Sequence, residues 1–414
     1  MSALSQHNAR LSFTRNTRVD VRMSTSRFSY DALLAGPPRL LAGPGELTRV
    51  ASVAEAVADR AGGPLRALLV VGGGFHRRSW REPVLTALRP FRVRLAVQPD
   101  MPTPDCVARL AAQVRAHRAD VVVAVGGGSV MDAGKAAAAM SAESVITADR
   151  VVEACEEGAP SRGVPVVAVP TTCGTGAEAT PFATVWDRRR GWKLSLRGGA
   201  VRPAAAVLDP DLLVGLPADQ LAASLLDTLA QGVEAAWSTR SDERSAALGA
   251  AAWAELATLL ERPRPLGPAE RRSVLLAGHY AGRAIATAGT TICHALSYPL
   301  TLRHGLRHGH ACGLTLAPVL RYNAAVGESD CADPRGPARV RAAIAGVARA
   351  AGADGPGDLA GRVESFLAAA PLPRVAGFGD ADRIAVEALG YDRAAGNPRR
   401  VDARTLARIL TNLP

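Results

Sequence analysis

"VVVAVGGGSVMDAGKAAAAM", residues 121–140, decides how the chain folds. Val121 to Val125 form an apolar, mostly β-branched run, Gly126, Gly127, Gly128 and Ser129 make a turn, and an alanine-rich helical stretch carries Asp132 and Lys135. A buried strand that ends in glycines and opens a helix brings bare backbone N–H groups to the helix N-terminus, where the dipole favours negative charge. Such a turn can cradle a phosphate. Glycines also serve tight helix–strand packing, so the spacing GGGSxxDxxK carries the weight: Asp132 and Lys135 lie one helical turn apart, on the side that the cradle opens. Lys135 and Lys193 are also the only two lysines in the chain.

Outward from this stretch, short β-type runs alternate with helical ones from about residue 39 to 210. The runs are 66–71, 91–97, 120–125, 164–170 and 204–209, with helices such as 52–62 and 104–118 between them. That alternation predicts a parallel sheet with helices on its faces. Beyond Asp209 the rhythm stops. The remainder is helix-period, rich in alanine and leucine, and broken at 262–268, 333–337 and 371–380. The fold class is therefore α/β plus all-α: a leader expected to be disordered over 1–30, an α/β dinucleotide-binding domain over 31–212, and a helical domain over 213–414. No internal repeat is visible.

Composition excludes several classes. The 414 residues, 48% hydrophobic and 21% charged, suffice for two packed domains. The net charge of +11 comes from scattered arginines, and aromatics are only 4%, which argues against nucleic acid as a partner. Cysteines at 106, 155, 173, 293, 312 and 331 have no CxxC pair and no secretory signal before them, the pattern of a reduced, cytoplasmic chain. No apolar run reaches the length of a membrane span. The basic, serine-rich start reads as a leader, or as an upstream start ahead of Met23.

A second loop, "VPTTCGTGAEAT" at 169–180, again follows a β-type run and offers the hydroxyls of Thr171, Thr172 and Thr175. GGGSxxDxxK, PTTxGTGxE and DPxLLxxLP (Asp209 to Pro217), in this order, resemble the iron-containing, or group III, alcohol dehydrogenases, a resemblance that covers residues 35–410. It implies a dinucleotide-binding domain and a helical metal-binding domain with the active site between them, and a homodimer. It also implies that Gly126, Gly127, Gly128, Ser129, Asp132, Lys135, Thr171, Thr172, Thr175 and Lys193 bind the cofactor. The family's metal ligands are an aspartate, a histidine four residues on, and two later histidines. Here the matching positions are Asp227, Gln231, His294 and His308, all expected to hold Fe2+ or Zn2+.

Gln231 departs from the pattern. Its neutral amide oxygen is a poorer ligand than imidazole for iron or zinc, so the site either keeps its metal more weakly or works without one. Retention is favoured because Asp227, His294 and His308 remain. A divalent ion there would act as a Lewis acid on a carbonyl oxygen while nicotinamide supplies hydride. His294, His308, His310 and Tyr298 are the candidate catalytic residues. Tyr298 stands where the family often has a second histidine, and Tyr298, His310 or a water relay is left to supply the proton.

The end of the second strand, "LLVVGGGFHRRSW", offers no acid for a ribose diol, and Arg77 and Arg78 follow it. These features point to NADPH, with NADH as the alternative. Arg303, His304, Arg307 and His310 suit a small acidic aldehyde. "ATPFATVWD" at 179–187 and the stretch from His294 resemble the phosphonoacetaldehyde reductase branch, which implies phosphonoacetaldehyde reduced to 2-hydroxyethylphosphonate in phosphonate antibiotic biosynthesis. Another group III alcohol dehydrogenase or a maleylacetate reductase would keep the fold with a different substrate. A dehydroquinate synthase-like sugar-phosphate cyclase would need an acid for NAD and more lysines than this chain has.

Overall fold

The computed structural model describes residues 30–413 apart from 59–62, 99–100 and 262–265. All of the expected leader except Tyr30 therefore lies outside the described residues. Six parallel strands form the main sheet: β1 (Arg39–Ala42), β2 (Arg66–Gly72), β3 (Arg92–Gln98), β4 (Val121–Gly126), β5 (Val166–Pro170) and β8 (Ala205–Leu208), ordered β1-β8-β5-β4-β2-β3. The middle strands are buried on both faces, as a helix-covered parallel sheet requires. Along β2 and β4, Leu68, Val70 and Val122 pack into one core, and Leu69, Val71, Val121 and Val123 into the opposite one. The period of two is thus visible in the burial although hydropathy is uniform. At the sheet edge, β3 leaves Val93, Leu95 and Val97 exposed.

The helices of this half are α1 (Tyr30–Leu34), α2 (Val50–Val57), α3 (Arg81–Ala87), α4 (Pro104–His117), α5 (Gly128–Met140) and α6 (Ala148–Glu157). An antiparallel hairpin, β6 (Phe182–Asp187) with β7 (Trp192–Arg197), inserts between β5 and β8. Neither β1 nor this hairpin is among the strands expected from sequence. β1 is only four residues long, whereas the apolar–polar alternation of "WKLSLR" was a strand signal in plain view.

The helical half contains α7 (Ala218–Trp237), α8 (Glu243–Glu261), α9 (Pro268–Ala288), α10 (Ile292–His304), α11 (His308–Ala324), α12 (Pro337–Ala350), α13 (Pro356–Ala369), α14 (Ala381–Leu389) and α15 (Ala403–Thr411). The proline-rich breaks fall between α8 and α9, before α12, and between α13 and α14. Proline at the first turn of α9 and α12 loses no helical hydrogen bond there, which is why these helices start where they do. Trp237, Trp253 and Tyr280 lie deep in the core of this half. All six cysteines are free, and among the described residues no helix is long and apolar enough to cross a membrane.

Candidate active site

One cavity of about 810 Å³ runs between the two halves. At its sheet end it is lined by Gly126, Gly127, Gly128 and Ser129 with Asp132, by Thr171, Thr172 and Thr175 from the loop after β5, and by Arg78 beyond β2. α5 starts at Gly128, so its first N–H groups open on this space. The cradle and threonine loop read from sequence therefore meet. Arg77, expected beside Arg78, does not line the cavity.

Lys135 departs from its expected role. It is fully buried, and its Nζ shares its three protons among Asp132 Oδ1 (3.0 Å), Ala177 O (2.9 Å), Thr180 Oγ1 (2.9 Å) and Phe182 O (2.5 Å). The ammonium ties α5 to the loop that leads into β6, and Asp132 Oδ2 accepts from Thr184 N at 2.9 Å. A compact ammonium reaches acceptors on several sides, as a planar guanidinium does not. Burial and the protein's own acceptors, rather than the cavity, account for this lysine. Lys193 on β7 does line the cavity, with its Nζ 4.8 Å from the Tyr298 ring centroid. Burial, and then the neighbouring Arg393 and Arg197, hold its pKa well below the ordinary lysine value.

In the helical half Asp227, Gln231 and Glu234 share one face of α7. Glu234 is fully buried beneath the start of α10, where its Oε1 accepts from Thr291 N (3.1 Å), Thr291 Oγ1 (2.8 Å) and Cys293 N (2.8 Å). Its Oε2 meets His294 Nδ1, which leaves His294 Nε2 facing Asp227 Oδ1 at 3.3 Å. Ser297 spends its one hydroxyl proton on His294 O at 2.7 Å and so accepts from His308 Nδ1 at 3.1 Å. His308 Nε2 then lies 3.9 Å from Asp227 Oδ1. Close approach of α11 to α7 makes this possible: a Cβ on Gly309 would sit 1.9 Å from Ala223 O.

Cys312, one turn beyond His308, completes the group. The ligand atoms of Asp227, His294, His308 and Cys312 all lie within 4.8 Å of one another. A tetrahedral ion with ligands at about 2.0–2.3 Å would hold them roughly 3.3–3.8 Å apart, so little movement is needed. Burial alone would push the Cys312 thiol up, but His294 and His308 beside it bring its pKa below the ordinary value. The donor set fits a divalent ion, and the carboxylate and hydroxyl behind the two imidazoles fix the tautomers that ligation requires. Gln231 meets the cluster through nitrogen: Nε2 donates to Asp227 Oδ1 (3.0 Å) and Thr175 O (3.3 Å), while Oε1 is buried without a partner. Turning the amide over would set oxygen against two oxygens.

Tyr298 lines the cavity and stacks on His308 at 5.9 Å between centroids, and burial raises its pKa. His310 does not reach the site. Two residues on from His308 it points to the other side of α11, where it lines a separate cavity with Leu314 and Glu364. Arg303 is bound to Glu387 (2.9 and 3.1 Å) and His304 to Asp380 (2.9 Å), and neither lines the cavity. Arg307 does, but its guanidinium is held by Asp219 and Gln220, each at 2.6 Å. The cation cluster expected for an acidic substrate is thus largely spent on the protein's own acids. Glu234, Ser297, Cys312 and Arg393 were not singled out from sequence. Only Cys312, four residues after a candidate ligand, carried a usable signal there.

Two family models cover most of the chain: iron-containing alcohol dehydrogenase over residues 37–210, and the C-terminal region of the Fe-containing alcohol dehydrogenase family over 221–412. Phosphonoacetaldehyde reductase of Streptomyces viridochromogenes is 49% identical over 380 residues, 89% of this chain and 96% of that protein. Among solved structures, sulfoacetaldehyde reductase from Bifidobacterium kashiwanohense in complex with NAD+ superimposes with a TM-score of 0.76 at 25% identity, covering 91% of this chain and 98% of that one. An iron-containing alcohol dehydrogenase from Thermotoga maritima shares the fold at TM-score 0.74 and 24% identity, over 90% of this chain and 96% of that one. With a glycine cradle facing an Asp–His–His–Cys cluster across one cavity, the chain belongs to the iron-containing alcohol dehydrogenase family, as an oxidoreductase with a nicotinamide-cofactor cleft and a divalent-metal site.

Proposed function

We propose that the chain reduces phosphonoacetaldehyde to 2-hydroxyethylphosphonate with NADPH, using a metal held by Asp227, His294, His308 and Cys312. The observation that carries this reading is the single cavity joining the phosphate cradle to the metal cluster. The 49% identical phosphonoacetaldehyde reductase supports the choice of aldehyde. A nicotinamide cofactor bound in the cleft would supply the hydride to the aldehyde carbon, and a proton given by the protein to the oxygen would complete the alcohol. A bound ion would supply Lewis-acid polarisation of the carbonyl. The chain's own residues do the rest. Helix dipole and bare amides at Gly126–Ser129 would hold the cofactor pyrophosphate, Glu234 and Ser297 orient the imidazoles, and Tyr298, which lines the cavity against His308, offers its phenol Oη as the proton donor. Gln231 serves as a donor that steadies the Asp227 carboxylate.

The test compares specificity constants for phosphonoacetaldehyde, propionaldehyde and maleylacetate under NADPH. The reading expects phosphonoacetaldehyde to lead propionaldehyde by about tenfold or more, the worth of one charge-assisted contact. Equal constants would count against it, and turnover of maleylacetate alone would favour the maleylacetate reductase reading. NADPH preference is supported by the absence of an acid after β2 and by Arg78 in the cavity wall. Arg78→Ala should lower kcat/KM for NADPH by about tenfold and that for NADH much less. A parent enzyme that prefers NADH would overturn this.

A further inference from the structure

The acid group of such a substrate needs a receptor, and Arg303, His304 and Arg307 are already paired. The opposite wall of the cavity holds a cation that is not. Arg393, in the turn after α14, lines the cavity yet is only 4% exposed. Its guanidinium carbon lies 5.0 Å from the Phe182 ring, and its Nε is buried without a hydrogen-bond partner. Among the described residues no carboxylate is within ion-pair distance of it. The adjacent acid, Asp392, is engaged by Arg197 at 2.6 Å. Thr290 lines the same cavity, is 2% exposed, and its Oγ1 likewise has no partner.

Buried charges in proteins are paired, hydrogen-bonded or bound to a ligand, because desolvation penalises an uncompensated one. Further positive charge gathers here around one nearby acid, Asp392, which Arg197, Arg393 and Lys193 share. A Cβ on Gly289 would lie 3.5 Å from Arg393 Nη1 and 2.7 Å from Arg240 Nη2, so two guanidinium groups pack against one glycine. Lys193 Nζ approaches from the hairpin, over the face of Tyr298, and the Tyr298 ring in turn stacks on the metal-site residue His308. The turn that carries Arg393 is rigidly set: Asn397 and Asn323 exchange amide hydrogen bonds of 3.0 and 3.1 Å.

We propose that Arg393 and Thr290 form the recess that holds the phosphonate group of the aldehyde substrate, with Lys193 Nζ as a further hydrogen-bond donor from the facing hairpin. This deepens the acidic-aldehyde reading and rests on it. The guanidinium fork matches two phosphonate oxygens, and the Thr290 hydroxyl can donate to a third. The recess makes Arg393 a specificity-determining residue: it selects the acid group while the Asp227–His294–His308–Cys312 end handles the aldehyde.

The experiment measures the ratio of kcat/KM for phosphonoacetaldehyde to that for propionaldehyde, the inhibition constant of methylphosphonate, and KM for NADPH, in parent enzyme and in Arg393→Ala. The ratio should fall by about ten- to a hundredfold and methylphosphonate inhibition should weaken by a similar factor, while KM for NADPH changes by less than about threefold. Thr290→Val should lower the ratio by a smaller factor. Arg393→Lys, which keeps the charge and loses the fork, should fall between parent and Arg393→Ala, and it reports the same ratio should the alanine variant not fold. A parent that prefers phosphonoacetaldehyde and an Arg393→Ala variant that keeps the whole preference would overturn the recess and leave the functional reading standing. A raised KM for NADPH with an unchanged ratio would assign Arg393 to a cofactor phosphate and overturn the recess equally. A parent without any preference for the acid would remove the functional reading and the recess together.

Discussion

The His294→Ala enzyme is expected to purify with less than about a tenth of the parent's metal and to lose roughly a thousandfold or more in kcat, several kcal/mol of barrier. His294 is the ligand with the most built around it. Its Nδ1 is committed to Glu234, its Nε2 faces Asp227, and the N-terminus of α10 is folded over the Glu234 carboxylate. Removing the ring opens the coordination shell and leaves Glu234 without its imidazole partner in a fully buried place. Glu234→Gln should be milder, with metal affinity down about ten- to a hundredfold, because the ring remains but is less firmly oriented. Cobalt exchanged into the parent should show a thiolate-to-metal charge-transfer band that Cys312→Ser abolishes, since cobalt reports its sulfur ligands directly. Elemental analysis beside steady-state kinetics checks the first two variants. Full activity in demonstrably metal-free parent enzyme would contradict the expectation.

What could be read from sequence, and what could not, follows from the range of the interactions. The turn at Gly126–Ser129 was legible because strand, turn and helix N-terminus are adjacent in the chain, and the structure places it in the cavity wall. Asp227, His294 and His308 came through the resemblance to the iron-containing alcohol dehydrogenases, and the structure brings them together. The second layer was not legible: Glu234 orients His294 across 60 residues of sequence, and Ser297 links two histidines only because α11 folds back on α10. Lys135 shows the opposite case. Its rarity in an arginine-rich chain rightly marked it as special, but its four acceptors lie on the residues around 132 and 177–182, and only the fold brings them together. The cations near His308 misled for the same reason, since Glu387, Asp380 and Asp219 are distant in sequence and claim them.

A second large effect should come from a single methyl group. In Gly309→Ala the new Cβ would meet Ala223 O at 1.9 Å and Asp227 Cβ at 2.9 Å, distances no side chain tolerates. α11 must then withdraw from α7 and carry His308 away from Asp227. Overpacking of this kind costs typically about 1–3 kcal/mol and occasionally more, which for a chain of this size lowers Tm by several degrees. Metal affinity should fall with it. Gly361 on α13 provides the contrast, because a Cβ there meets nothing within 4 Å. Gly361→Ala should be neutral or slightly stabilising, as expected for alanine replacing glycine in an open helical position. Thermal unfolding and metal content of the two variants side by side would check this, and a Gly309→Ala enzyme with parental Tm and metal would show that the α7–α11 contact is looser than described.

The central claim is that this cavity reduces an acidic aldehyde, and it is tested most directly by following phosphonoacetaldehyde and NADPH with the metal-loaded enzyme by phosphorus NMR. The account predicts that the phosphonoacetaldehyde signal is replaced by that of 2-hydroxyethylphosphonate, one equivalent for each equivalent of NADPH oxidised and with no inorganic phosphate released. Persistence of the aldehyde signal under conditions in which the same enzyme oxidises NADPH with neutral aldehydes, or release of inorganic phosphate, would contradict it.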